Sequence, residues 1–181
     1  MRAFPIALLL ATTLPAGAQQ FGAAENLAPY IPTPQEAVDR MLEAADVKPG
    51  DVVYDLGSGD GRIVITAAQK FGAKGVGVEI RPDLCRKARE RIKSLGLEDR
   101  VSMVEGSALR VDLRRADVVT MYLLTSSNER LKPNLEKYLK SGARVVSYEF
   151  PVRGWKPVEV IVLATGKTEH KIYVYEMGRQ Q

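Results

Sequence analysis

The chain alternates between two hydrophobic periods, one typical of β-strands and the other of α-helices. Five short apolar runs, most of them rich in valine, predict strands at residues 52–56, 75–80, 100–106, 116–124 and 143–150. Two further strand patterns, at residues 158–164 and 170–177, are joined by a glycine-containing turn, which predicts a β-hairpin.

Apolar residues recur at helical spacing between these strands. The tetrapeptide TPQE at residues 33–36 predicts a capping box at the start of the first helix, with its proline in the first helical position. A second helix follows the first strand, and a third begins at Pro82 and ends before Gly96. A fourth helix covers residues 128–140, where Pro133 is expected to split off the first turn.

Strands that alternate with helices five times indicate an α/β fold with a doubly wound, seven-stranded sheet. The alternation implies mostly parallel strands, right-handed crossovers and helices on both faces, and the C-terminal hairpin adds an antiparallel part. In such a sheet a ligand binds outside the carboxyl ends of the strands, where the strand order reverses. The turn after the first strand is expected to lie at that point.

The first 18 residues have the composition of a bacterial-type export signal. Arg2 is followed by an apolar stretch shorter than the roughly 20 residues that span a bilayer, and then by AGA at residues 16–18. We therefore predict cleavage after Ala18 and a protein that is exported or membrane-associated. The alternative is an uncleaved anchor with the domain in the cytoplasm. Residues 19–29 are assigned to a connector and residues 30–178 to one folded domain.

Composition limits the classes of site that the chain can contain. It has 181 residues, 45% of them hydrophobic and 27% charged, which fits one globular domain. Its only cysteine, Cys85, excludes an intrachain disulfide and is expected to be packed on a helix. No Cys/His cluster has the spacing of metal ligands, so no metal site is predicted. Trp155 is expected to anchor a loop on the sheet edge, and His170 to have no catalytic role.

The net charge is +4, and basic residues are concentrated at positions 81–93. Acidic residues are interleaved with them, and no aromatic residues are present to stack on bases. We therefore predict a solvated helix face and no nucleic-acid partner.

The turn after the first strand reads DLGSGDG and places three glycines at alternate positions. Glycines allow a ligand to approach the backbone, and the next helix offers free N–H groups. A dinucleotide site normally has the spacing GxGxxG, whereas here Asp60 stands where a pyrophosphate would lie. Together with Asp55, this carboxylate favours a ligand that carries an amine and a positive centre.

The second candidate anchor is Glu79, at the end of the second strand and 20 residues beyond Gly59. A carboxylate at this separation can accept hydrogen bonds from both hydroxyls of a ribose, although a strand-end carboxylate without a ligand is the alternative. A ribose joined to a cationic, amine-bearing tail describes S-adenosylmethionine, which we predict as the cofactor.

The segments DVVYDLGSGDGRIVITAA and GVGVEI resemble the cofactor motifs of class I, seven-strand S-adenosylmethionine-dependent methyltransferases, which have a Rossmann-like fold. The resemblance covers residues 30–178. The segments YIPTPQEAVDRML and VVTMYLLTSSNERLKPNLEKYLKSGARVVSYEF resemble a narrower group. It comprises the protein-lysine methyltransferases related to the ATP synthase c-subunit lysine methyltransferase and, more distantly, the histone-lysine methyltransferases without a SET domain.

The resemblance implies roles for individual residues. Those expected to bind the cofactor are Tyr30, Thr33, Asp55, Gly57, Ser58, Gly59, Glu79, Ile80, Ser107 and Ala108. Asp55 and the glycines would surround the methionine part, Glu79 would hold the ribose, and residues 105–109 would line the adenine. Many relatives have an acid where this chain has Ser107. A hydroxyl can also accept from the adenine amino group, so binding is still expected.

The resemblance also implies a protein lysine as the methyl acceptor. A lysine, with a reference pKa of about 10.4, has to lose its proton first, and desolvation beside a sulfonium favours that loss. Tyr122, after the fourth strand, is the candidate to orient the amine, and Tyr148 and Glu149 are weaker candidates.

Two alternatives stay open, a small-molecule or thiol methyltransferase of the same fold and a non-catalytic module that binds S-adenosylmethionine. The chain has no long insertion to serve as a lid over a small substrate, which favours a macromolecular substrate. Ser107, together with export into a compartment where the cofactor is not made, favours the non-catalytic module. We expect a monomer, with membrane association through the N-terminus.

Overall fold

The structure, a computed structural model, describes residues 25–165 and 168–180. The predicted export signal and its cleavage site lie outside the described residues. Among the helices of the described part, none has the length and apolar character that a membrane span requires.

The described residues form seven strands and four helices. The strands are β1 (Val52–Leu56), β2 (Lys74–Glu79), β3 (Val101–Glu105), β4 (Val118–Met121), β5 (Arg144–Tyr148), β6 (Glu159–Thr165) and β7 (Thr168–Glu176). The helices are α1 (Gln35–Ala44), α2 (Arg62–Phe71), α3 (Pro82–Ser94) and α4 (Thr125–Tyr138). All seven predicted strands are confirmed. The fourth is shorter than predicted, because the chain leaves the sheet at Tyr122.

All seven strands belong to one sheet, in the order β3-β2-β1-β4-β5-β7-β6. The first five strands pair in parallel with their neighbours, and β7 runs antiparallel to both β5 and β6. The order reverses between β1 and β4, and a crevice forms where the connections diverge from such a point. The predicted doubly wound sheet with its C-terminal hairpin is confirmed.

Helices cover both faces of the sheet, as predicted. Successive side chains of β1 show this, because strand side chains point alternately to opposite faces. Val53 packs with α1 and α2, whereas Tyr54 and Leu56 pack on the other side with Leu131 of α4. Cys85 of α3 is fully buried in a third cluster between α2 and β3, which confirms that it is a packed residue.

Trp155 anchors its loop, as the sequence indicates, although it packs within the fold and not on the sheet edge. Its ring meets that of Tyr175 in an edge-on contact with 5.5 Å between centroids, and its Nε1 donates to Glu136 Oε1 at 2.9 Å. The indole thereby joins β7 to α4.

Two predictions about helix ends and breaks are wrong. Helix α1 begins at Gln35 with Pro34 in the cap position, and it has no side-chain capping bond. Pro133 does not split α4, which runs without a break from Thr125. A proline removes one N–H from the helix. The burial of Leu131 and Leu135 stabilises α4 in spite of this loss.

The predicted fivefold alternation of strands and helices is also wrong at one point. Residues 106–117 connect β3 to β4 without a regular helix. This segment is strongly charged, and its fully buried side chains are Leu113 and Ala116. These two buried side chains pack the irregular connection against the core, but they do not form the apolar stripe of a packed helix.

Candidate functional site

A cleft of about 780 Å³, open solvent at its mouth included, lies at the carboxyl ends of the central strands. The walls are the turn after β1, the end of β2, the turn after β3, the residues after β4 and residues 25–33. The cleft therefore lies where the strand order reverses, at the place that the sequence indicates.

Most of the predicted site residues line this cleft. They are Tyr30, Thr33, Asp55, Gly57, Ser58, Gly59, Glu79, Ile80, Ala108 and Tyr122. Ser107 is buried but is not part of the lining, and its Oγ accepts a hydrogen bond from the Leu109 N–H at 3.3 Å. The Ser107 hydroxyl therefore serves the local turn, and Gly106 and Ala108 form the wall there.

The glycines after β1 have both a conformational and a steric role. Gly57 and Gly59 have φ angles of +83° and +55°, a region that other residues rarely adopt. A Cβ atom on Gly59 would lie 2.4 Å from Cε2 of Tyr30, and one on Gly57 would lie 3.1 Å from Cδ2 of Leu123. The turn needs glycine because side chains from two other segments close directly over its backbone.

Glu79 joins the end of β2 to the glycine turn. Its side chain is buried, and one carboxylate oxygen accepts from the Gly59 N–H at 2.7 Å, the other from the Arg81 N–H at 2.8 Å. Each carboxylate oxygen has a second lone pair that can accept a further hydrogen bond. Glu79 can thus orient the turn and bind a ligand at the same time. Sequence reasoning identified only the second of these roles.

Asp55 is a buried carboxylate in the cleft wall. Burial raises its pKa to about 6, although a hydrogen bond of 2.8 Å from the Thr120 hydroxyl acts in the opposite direction. Next along the wall, the buried Ser58 hydroxyl has no partner of normal hydrogen-bond geometry, although it lies near enough to Asp55 to lower that pKa. Buried polar groups are normally satisfied, so these two side chains fit a polar ligand.

Asp60 is compensated by arginines and does not act as a free negative charge. Its carboxylate accepts two hydrogen bonds from the Arg62 guanidinium, at 2.9 and 2.8 Å, and lies 3.4 Å from Arg91. Burial acts to raise the pKa of Asp60, but the bonds from Arg62 hold it below its usual value. The predicted repulsion of phosphate by Asp60 therefore loses its basis, and Asp55 and Glu79 supply the anionic character of the cleft.

Residues 25–33 form one wall of the cleft, so residues 25–29, predicted to be part of a connector, belong to the site. Arg62 Nη1 donates to the Thr33 carbonyl at 2.8 Å, and the Ser127 hydroxyl donates to the Leu27 carbonyl. The cleft thus has a wall that no insertion supplies, so the lack of an insertion does not by itself favour a macromolecular substrate. The sequence contains one indication of this wall. Arg62 is the first residue of α2, where the helix dipole disfavours a cation, so the arginine needs a specific partner.

Tyr122 lies at one end of the cleft within a group of aromatic rings. Its ring is edge-on to Tyr148, at 4.8 Å between centroids, and stacks on Phe150 at 6.3 Å. Burial, and then the charge of Glu149, raise the pKa of Tyr122. Its hydroxyl therefore keeps its proton at neutral pH and can both donate and accept a hydrogen bond.

A family model described as the ANTKMT methyltransferase domain matches residues 55–159. The chain is 53% identical over 154 residues to a protein-lysine N-methyltransferase of Saccharolobus islandicus, which covers 84% of this chain and 96% of that protein. It is 34% identical over 149 residues to the adenine nucleotide translocase lysine N-methyltransferase of Mus musculus, which covers 82% of this chain and 63% of that protein.

The fold is also similar to that of solved structures. An RNA methyltransferase from Salinibacter ruber, in complex with S-adenosyl-L-homocysteine, superposes with a TM-score of 0.77 and 47% sequence identity. The match covers 81% of this chain and 94% of that chain.

Proposed function

Because the chain belongs to the ANTKMT methyltransferase domain family, we propose that it transfers methyl groups from S-adenosylmethionine to lysine side chains of proteins. The observation that carries this proposal is the 53% identity to a protein-lysine N-methyltransferase over nearly the whole of that protein. The resemblance to lysine methyltransferases found in the sequence is confirmed by the family match.

The residues of the cleft fit S-adenosylmethionine. Ser58 offers a buried hydroxyl without a partner of normal geometry, and Asp55 offers a carboxylate for the ammonium group of the methionine part. Glu79 keeps one free lone pair on each oxygen for the ribose hydroxyls. When bound, this cofactor supplies an electrophilic methyl group. A relative at 47% identity holds its demethylated form, S-adenosyl-L-homocysteine.

The protein residues have to position a neutral amine. A lysine that enters the cleft loses water, and this desolvation lowers its pKa, so that its proton leaves to solvent. We assign to the Tyr122 hydroxyl the role of accepting a hydrogen bond from the amine, which turns the nitrogen lone pair toward the methyl group. Positioning of this kind supplies most of what the protein contributes to a displacement reaction.

RNA is a second candidate substrate, because the Salinibacter structure is described as an RNA methyltransferase. The surface of α3 argues against it. Arg81, which precedes α3, pairs with Asp83 at 2.7 Å, and Arg89 of α3 pairs with Glu105 at 3.6 Å, so part of the basic charge of residues 81–93 is compensated. Binding to a phosphate backbone requires uncompensated cations.

The proposal is tested by incubating the purified protein with methyl-labelled S-adenosylmethionine and a host extract. Label is expected in protein, and mass spectrometry is expected to place it on lysine ε-amines. Label that disappears from the RNA fraction after ribonuclease treatment would instead identify an RNA methyltransferase. Label in a small thiol, or none at all, would favour the alternatives of a small-molecule enzyme or a non-catalytic module.

Cofactor affinity is expected to fall as the pH drops below about 6. Asp55 becomes protonated there, because its pKa is raised to about 6, and it then no longer attracts the ammonium group. The dissociation constant should rise by roughly tenfold per pH unit at the acidic end. Calorimetry between pH 5 and 8 measures this, and Asp55→Asn should bind weakly with a flat profile. A slope that persists in Asp55→Asn would assign the titration to another group.

We also propose that the N-terminal residues direct the chain out of the cytoplasm or to its membrane, and that the domain works as a monomer. Arg2, the apolar stretch and the small residues at 16–18 support the first statement. The supply of cofactor favours the alternative, an anchor with the domain in the cytoplasm. N-terminal sequencing of native protein is expected to begin at Gln19. An intact Met1 in a soluble cytoplasmic fraction would contradict both export and membrane anchoring.

A further inference from the structure

A strained turn follows β5 beside the cleft. Its central residue, Glu149, has a φ angle of +66°, which residues other than glycine rarely adopt. The Phe150 N–H donates to the Tyr148 carbonyl at 2.8 Å, and this bond closes a three-residue turn around Glu149. Strain of this kind persists only where the surroundings enforce it, and it is concentrated at functional sites.

Two neighbouring elements enforce this turn. Asn128 of α4 is fully buried, and its Nδ2 donates to the Phe150 carbonyl at 2.9 Å. From the other side, the Glu149 N–H donates to the Lys171 carbonyl of β7 at 2.7 Å. The buried side-chain amide of Asn128 thus stabilises the unfavourable backbone conformation of Glu149.

The turn presents a carboxylate that is fixed in place but still open to solvent. One oxygen of Glu149 contacts Nδ1 of His170, and the two side chains keep 24% and 27% of their surface exposed. The His170 ring also stacks on Tyr148, at 5.8 Å between centroids. Within the described ranges, the second carboxylate oxygen of Glu149 has no hydrogen-bond donor.

Aromatic contacts connect this carboxylate to the cleft. Tyr148 and Phe150 flank Glu149 in the chain, and both contact the ring of Tyr122, which lines the cleft. Burial raises the pKa of Tyr148 to about 12, and the charges of Glu149 and Glu36 act in the same direction. The cleft wall at Tyr122 therefore adjoins two further aromatic rings and the turn of Glu149, in a chain whose net charge is +4.

We infer that Glu149, held by its turn and by His170, is the binding site for the cationic side chain of the substrate before that side chain enters the cleft. The inference rests on the proposed function, since the ε-ammonium of lysine is such a cation. Carboxylates form strong charge-assisted hydrogen bonds with ammonium groups, and aromatic faces attract them. In this proposal His170 is a positioning residue that holds Glu149, and it has no catalytic role of its own.

The test uses the full chain, saturating S-adenosylmethionine and poly-L-lysine as the substrate. Glu149→Gln is expected to raise KM for poly-L-lysine roughly tenfold or more, with kcat within about twofold and cofactor affinity unchanged. Glu149→Gly also removes the carboxylate, and glycine adopts the positive φ angle of this turn without strain. This variant should therefore raise KM by the same factor, with a Tm no lower than that of Glu149→Gln. The matched control is Glu169→Gln, which removes an exposed carboxylate next to His170 and should leave KM unchanged.

An unchanged KM in both Glu149 variants would overturn the inference, as would an equal increase in Glu169→Gln. A fall in kcat or in cofactor affinity with KM unchanged would show a structural role and would also overturn it. Wild-type protein that binds S-adenosylmethionine but transfers no methyl group to poly-L-lysine would contradict the proposed function itself. That result differs visibly from a defect confined to the Glu149 variants.

Discussion

Glu79→Ala is expected to lower the affinity for S-adenosylmethionine by roughly 10- to 100-fold, which corresponds to about 1.5–3 kcal/mol for charge-assisted hydrogen bonds. The variant loses the acceptors for the ribose hydroxyls. It also leaves the N–H groups of Gly59 and Arg81 without their partner, although the N–H groups of Gly57 and Ser58 still donate to the Val78 carbonyl of β2. The loss should therefore appear in calorimetric affinity and, to a smaller extent, in thermal stability.

Glu105→Ala is the matched control for this variant. Glu105 ends the neighbouring strand and pairs in register with Glu79, but it is exposed and contacts Arg89 on the surface. Although residues 105–109 are predicted to line the adenine, Glu105 is not part of the cleft lining. Its removal should leave cofactor affinity within about twofold of wild type, since surface ion pairs contribute little. Unchanged affinity in folded Glu79→Ala, or an equal loss in Glu105→Ala, would show that the ribose site lies elsewhere.

Gly59→Ala is expected to abolish measurable cofactor binding. The added methyl group would lie 2.4 Å from a ring carbon of Tyr30, so the tyrosine has to move out of the cleft wall. The φ angle of +55° adds backbone strain of about 1 kcal/mol. Calorimetry with S-adenosylmethionine, together with thermal unfolding, separates the loss of the site from the loss of the fold.

Gly96→Ala separates these two effects within the same chain. Gly96 follows α3 with a φ angle of +64°, and an added Cβ would meet no atom within 4 Å. The two variants therefore share the backbone strain and differ only in the steric contact with Tyr30. Gly96→Ala should lose stability to a similar extent and keep cofactor affinity. Wild-type affinity in Gly59→Ala would contradict the assignment of this turn to the cofactor.

The features that could be predicted from sequence are those encoded by residues close to one another in the chain. The β1 strand, the glycine turn and the start of α2 are contiguous, and Glu79 follows after one helix and one strand. The turn requires positive φ angles, and only glycine adopts them at low cost, so the sequence has to show the glycines. Strand period and helix period likewise depend on local spacing, which is why the strands and all four helices could be predicted from sequence, although Pro133 does not split α4.

Only the tertiary structure decided which distant groups meet. Arg62 donates to the Thr33 carbonyl, 29 residues earlier in the chain, and Arg91 pairs with Asp60, 31 residues earlier. Glu149 meets His170 because β5 and β7 are paired in one particular register. Strand register and the packing of a wall segment depend on the whole core, and local periodicity does not contain them. The glycine turn and Glu79 could therefore be predicted from sequence, whereas the contact of Glu79 with that turn and the position of Glu149 beside His170 required the fold.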